Sequence, residues 1–242
     1  MKQHNPLEHF ELHPLIELKL LGIDISVNKA VIMMWIVCIL IPCIVVLAVR
    51  GRRMIPTRLQ SLTEISIEFL RNMVIDNMGE KGLKFFPFIA TLFFFILFCN
   101  LIGIIPGSYT VTSQIIVTAF FAITVFIISQ IVGFSIHGVR YLKIFVPSGV
   151  PKFIIPIIIP IEIVSMLARP LSLSVRLFAN MTAGHTILIV LFTLAMGLKY
   201  IGFLPFFFTV ALTGLEIFIA FIQAYIFTIL TCVYIGEAIE MH

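Results

Sequence analysis

The residues best suited to chemistry lie where a membrane would make them costly. Two long apolar runs, residues 153–197 and 203–236, are interrupted by Glu162, Arg169, Arg176, Asn180 and His185 in the first and by Glu216 and Gln223 in the second. An arginine at the centre of a membrane helix costs about 2.5–3.5 kcal/mol on insertion scales, so a charged group there marks a functional position. Arg169 precedes Arg176 by seven residues and Asn180 follows it by four. At about 100° per residue all three share one broad face of a helix. His185, nine residues past Arg176, falls on the opposite face, while Glu216 and Gln223, seven apart, share a face of the second run. Two polar surfaces are therefore expected. One holds Arg176 and Asn180, joined by Gln223; the other holds His185, with Glu216 as its partner across the hairpin. A histidine beside a carboxylate can take up and release protons near neutral pH. An arginine keeps its proton at every relevant pH and acts as a fixed positive charge, a gate rather than a relay member. No acidic residue stands three or four positions from Arg176, so its counter-charge is expected on another helix or another subunit. Each residue also has a plain structural reading: an ion pair within the bundle for Arg176, a hydrogen-bonded core histidine for His185, an ion pair with a basic residue for Glu216, and a solvated place at the inner interface for Glu162. Asn100 and Ser113 read as residues that bond backbone.

Helices long enough to cross a bilayer must position these groups. About 20 apolar residues span the hydrocarbon core, and residues 30–49 form the first such span, with Pro42 as a possible kink and Arg50, Arg52 and Arg53 as a basic stop. In residues 57–79, Leu59, Leu62, Ile65, Phe69, Leu70 and Met73 recur at helical spacing among Arg58, Glu64, Glu68, Arg71 and Asp76, the pattern of an amphipathic helix on the membrane surface. Residues 86–105 and 114–136 form the second and third spans, the former closed by a turn at Gly103, Pro106 and Gly107, and residues 138–152 read as a loop. Residues 153–197 are too long for one upright span, which predicts a strongly tilted helix. Gly197 and Gly202 bracket a turn into 203–236, and Glu237, Glu240 and His242 form the tail. The expected fold is an all-α integral membrane protein forming a single membrane domain: about five transmembrane helices plus one amphipathic surface helix, the last two helices long, tilted and paired as a hairpin.

Composition agrees with that class. Of 242 residues, 60% are hydrophobic and 12% charged, about half the charged share of a soluble domain. Mean hydropathy is +1.15 and the pI is about 9.0. The net charge of +4 does not argue for nucleic acid, because the basic residues sit in short segments between apolar runs. Arg50, Arg52, Arg53, Arg58, Arg71, Lys81 and Lys84 follow span one, and Arg140, Lys143 and Lys152 follow span three, whereas residues 106–113 carry no Lys or Arg and the hairpin turn only Lys199. Basic loops stay inside, so the N-terminus is expected outside and the C-terminus inside. No cleavable signal peptide is expected in residues 1–29, which hold Glu8, Glu11, Glu17 and Asp24 without an apolar core. The four cysteines lack metal spacing, the spacing of His4, His9 and His13 makes no convincing ligand set, and residues 1–29 read as an ordinary surface segment. Neither a metal nor a cofactor is expected.

The stretch Leu171-Ser-Leu-Ser-Val-Arg176-Leu-Phe-Ala-Asn180-Met-Thr-Ala-Gly-His185 resembles the signature of the a subunit of rotary F-type ATP synthase. So do Leu215-Glu216 and the run from Ile222-Gln223 to Thr231, the Phe98–Pro106 segment and the Asn-Pro-Leu-Glu-His-Phe sequence at 5–10. The resemblance covers nearly the whole chain. It implies that Arg176 is the arginine facing the proton-carrying carboxylate of a rotating c-ring, with Asn180 and Gln223 as its polar neighbours. It implies that His185 and Glu216 line an outer aqueous half-channel and that Glu162 belongs to an inner one. The histidine on the fifth helix and the acid on the sixth are similar to mitochondrial and related bacterial forms. The partners implied are the c-ring of small hairpin subunits, peripheral-stalk and other membrane-sector subunits, lipid and protons. The location implied is the inner mitochondrial membrane or a bacterial plasma membrane. ATP chemistry would belong to other subunits, and the chain has no GxxxxGK[ST] phosphate loop. A secondary transporter would be expected to show inverted repeats or two discontinuous helices at matching positions and a membrane enzyme a nucleophile/base or metal pattern, and neither is legible; a purely structural subunit would not need an unpaired mid-membrane arginine.

Overall fold

In hydrocarbon every backbone N–H and C=O must be bonded within the protein, so apolar runs of sufficient length become helices. A computed structural model describes residues 14–16, 19–20, 23–24, 26–49, 57–105, 108–145, 153–198 and 202–240. His4, His9 and His13, the 5–10 sequence, the basic run 50–53, Pro106, Lys152, Lys199 and His242 lie outside the described residues. Six α-helices follow in order: α1 Lys29–Val49, α2 Arg58–Met78, α3 Phe86–Ile104, α4 Ile115–His137, α5 Ile155–Gly197 and α6 Phe203–Glu240. All but α2 belong to segments long and apolar enough to cross a membrane.

The helix ends follow local chemistry. Thr57 caps α2, its Oγ1 accepting a hydrogen bond from the Gln60 N–H at 3.4 Å. Gly79, at φ 65°, ends that helix, and Gly138, at φ 56°, ends α4, both in the left-handed region open to glycine. The segment expected as a loop after α4 instead begins as a 3₁₀ helix, Gly138–Phe145. Its anchor is Tyr141, whose ring fills the space a side chain would need at Gly133 and meets Phe134 edge-on with centroids 5.0 Å apart. Before α1 lie four short strands, β1 Pro14–Ile16, β2 Lys19–Leu20, β3 Ile23–Asp24 and β4 Val27–Asn28. They pair as nested antiparallel ladders, β1 with β4 and β2 with β3, with Lys19 opposite Asp24. Reading residues 1–29 as an ordinary surface segment overlooked the strict alternation Ile16-Glu-Leu-Lys-Leu20 and Ile23-Asp-Ile-Ser-Val27 on either side of Leu21-Gly22, a hairpin signal.

Helix α6 is the hub, packed against α2, α3, α4 and α5. Its buried side, with Ala220, Ala224, Phe227, Cys232 and Ile235, meets Leu70 and Val74 of α2, Ile89 and Ile96 of α3, Val125 of α4 and Leu177 and Met181 of α5 in one core. The outlying α1 rests on α2 and α3, with Val37 against Cys99 and Val111 in a second small cluster. Helix α5 has 43 residues, about 65 Å at 1.5 Å per residue, roughly twice the ~30 Å hydrocarbon thickness. Exposed apolar side chains run along it from Ile157 to Met196. Keeping all of them out of water requires a steep tilt or cover by another protein. The 38 residues of α6, also longer than one upright crossing, carry the helix past 236 to Glu240.

Candidate functional site

Arg176 and Asn180 both project from the exposed side of α5. Among the described residues neither has a hydrogen-bond or ion-pair partner. Around them the same side carries small exposed residues, Ser165, Ala168, Ser172, Ala179 and Ala183. This ridge lets a facing helix approach the backbone closely and leaves the guanidinium as the prominent feature. An ion pair for Arg176 within this bundle is not what the structure shows.

Glu216 faces the other way, into the bundle, at 5% exposure. Its carboxylate lies against Gly184, so near that a Cβ built on that residue would be 3.0 Å from Oε1. The hairpin therefore brings the Glu216 carboxyl to the level of His185, which is half-buried on α5. Glu216 Oε2 is buried without a hydrogen-bond partner among the described residues, so this carboxylate has hydrogen-bonding capacity to spare. Gly184, with no side chain of its own, is the seat of this carboxylate. Gln223 is buried at 6% exposure and makes no hydrogen bond to Arg176 or Asn180 among the described residues. The expected common surface of these three residues is thus two residues on an open face and one inside.

A buried polar network beside these helices was only half legible. Asn100, fully buried, accepts from Thr112 Oγ1 at 2.7 Å and donates to the Ala220 carbonyl of α6 at 3.5 Å. Thr118 and Ser174 join α4 to α5 through their hydroxyls at 3.1 Å, and Ser113 bonds the Thr110 carbonyl at 2.6 Å. Reading Asn100 and Ser113 as backbone-bonding residues describes part of this; the side-chain link to Thr112 depends on the 3₁₀ turn Val111–Ser113.

At the end of the bundle holding the start of α5 and the end of α6, an open cleft is lined by Gln130 of α4, Tyr141, Glu162 and Arg169 of α5, and Tyr234 and Glu237 of α6. Arg169 donates to and ion-pairs with the Glu237 carboxylate, and its guanidinium lies 5.5 Å from the Tyr234 ring centroid. Arg169, which helical arithmetic groups with Arg176, is therefore drawn aside to α6. Glu162 is half-buried in the cleft wall. Among the described residues no group of three or more His, Cys, Asp or Glu converges to hold a metal ion.

Arg176 open on a small-residue ridge, an acid seated against Gly184 inside the bundle and a separate acidic cleft suit a membrane subunit that handles ions against a partner. The ATP synthase A chain family profile matches residues 31–236. The chain belongs to the ATP synthase A chain family. It is 48% identical to the ATP synthase subunit a of Magnetococcus marinus over 98% of this chain and 94% of the relative. The same identity holds for that of Pelagibacter ubique, over 98% of each. For Rhodospirillum rubrum it is 46%, over 99% of this chain and the whole relative. As a member of that family the chain is a membrane subunit of an F-type ATP synthase, working alongside other subunits of that assembly. With bacterial relatives and five membrane-spanning segments, it is a multi-pass protein of the inner (plasma) membrane.

Proposed function

We propose that this chain is the proton-conducting stator subunit of the synthase, non-catalytic itself, with two offset aqueous half-channels set against a rotating c-ring. The observation that carries the reading is Arg176, exposed and without an internal counter-charge on the ridge of small residues. A fixed cation in hydrocarbon is costly unless a partner supplies the anion, and an acidic carboxyl on a ring of close-packed hairpins is the partner that fits both charge and ridge. Asn180, one turn along, adds a neutral polar contact. Gln223 acts from inside the hairpin, behind the arginine.

In this mechanism protons enter from outside through the polar region at His185 and Glu216, where the imidazole relays and the carboxylate accepts. The proton neutralises a ring carboxylate, which can then turn into lipid. After nearly a full turn the ring site reaches the cleft with Glu162, where its proton leaves to the inner side. Arg176 favours the ionised ring carboxylate and, holding its own proton, keeps the two paths from joining. One charge moved across the membrane is worth about 2.3 kcal/mol per 100 mV, and that energy drives rotation only if this leak stays closed. The inside and outside assignments rest on the basic loops.

The test is proton movement in inverted membrane vesicles carrying the assembled complex, with Arg176 native or replaced by Ala. The expected result for Arg176→Ala is loss of ATP-driven acidification with normal assembly, together with raised passive proton leak. Unchanged pumping and leak would make Arg176 structural and end this reading.

A further inference from the structure

Glu162, Arg169 and Arg176 recur every seven residues along α5, about 20° short of two turns each. They form one line from the start of the helix to its middle. Arg169 stands between the other two, about 10 Å along the axis from each. Helical side chains lean toward the N-terminus, so an unrestrained Arg169 would lean toward Glu162, with which it shares the cleft. A guanidinium and a carboxylate make a strong two-pronged pair, and such a pair would cap the acid and set a positive charge in the cleft. The structure has Arg169 turned instead to α6, bonded to Glu237 and stacked near Tyr234. Among the described residues two acids and one base face the cleft, leaving one carboxylate there without a cation.

We propose that Glu237, supported by Tyr234, is a positioning residue for proton release. It holds and neutralises Arg169 so that Glu162 stays free and the inner cleft stays acidic. This rests on the reading of that cleft as the inner half-channel. Glu237 carries no proton in the mechanism; its role is to occupy the arginine. The device depends on the hairpin register, which sets residue 169 against residue 237.

The experiment is a double-variant cycle in the assembled complex, reading ATP-driven acidification and passive conduction through the membrane sector. Glu237→Gln should lower both by roughly tenfold, the scale of a one-unit bias on a protonation step. Adding Arg169→Gln to it should recover most of the loss, because the freed cation is then gone. If Glu237 only clamps α5 to α6, the double variant will be as impaired as Glu237→Gln, and the proposal fails. Where Glu237→Gln does not assemble, Arg169→Gln is compared with Arg169→Gln plus Glu237→Gln. Equal conduction supports the proposal, and a further loss overturns it. Glu162→Gln separates the two levels. If it conducts as the native chain does, the inner half-channel reading itself fails. If it blocks while the cycle shows no recovery, only the role given to Glu237 and Arg169 fails.

Discussion

At Gly184 the absence of a methyl group decides where Glu216 sits. A Cβ there would stand 3.0 Å from Oε1 and 3.4 Å from the carboxyl carbon, so Gly184→Ala must displace the carboxylate from its seat. We expect that variant to assemble and to lower proton conduction about tenfold, since a proton relay needs its groups within hydrogen-bond reach. Gly214→Ala, on α6 with nothing within 4 Å of the built Cβ, should leave the rate unchanged. Comparing ATP-driven acidification of the two variants in vesicles checks this, and equal rates would remove Gly184 from the site. The residue types at Arg176, Asn180, His185 and Glu216 were readable as candidates because an ionisable group in an apolar run has few bland explanations. The seat at Gly184 was not readable, because nothing in a glycine's identity says which side chain will lie on it.

Among the elements, α6 packs against four other helices, and it meets α2 closely enough to be tested by one methyl group. The α2 end and the α6 end meet at Gly236, where a Cβ would fall 2.5 Å from the Asn77 carbonyl oxygen. Backbone cannot yield as a flexible side chain does, so Gly236→Ala should push the helices apart and cost about 1–3 kcal/mol. A lowered melting temperature of the detergent-solubilised chain is the expected observation; an unchanged one would mean that the α2–α6 contact carries little stability. Helix lengths were largely legible, since the apolar runs that form them act locally. The 3₁₀ segment after α4 was not, because it depends on Tyr141 folding back into the notch at Gly133.

For the whole molecule, exposed apolar residues cover α1, α4, α5 and the start of α6, far more than a water-soluble monomer presents. Lipid and neighbouring subunits must cover them, and the ridge around Arg176 is the part with a chemical preference about what does. By the charge pattern of the loops, the first basic segment after α1 and the second after α4 are both expected inside. A fluorescent reporter fused after residue 242 should therefore mature on the inner side, and a tag before residue 1 should be open to externally added protease. The opposite pattern would invert the outer and inner assignments of the Glu216 and Glu162 regions while leaving the role proposed for Arg176 in place.

Hydropathy and helical period are properties of neighbouring residues, so the sequence by itself determined the five spans, the amphipathic helix α2, the long final hairpin and the opposite faces of Arg176 and His185. The tertiary structure alone decided what meets across the hairpin. Residues 169 and 237 are 68 positions apart, and their pairing depends on how two helices of 43 and 38 residues slide along each other. That register is set by side-chain volumes along the whole contact rather than by any short motif. The same holds for Gln223, which shares a helix face with Glu216 and turns inward with it, leaving Arg176 and Asn180 on the open ridge.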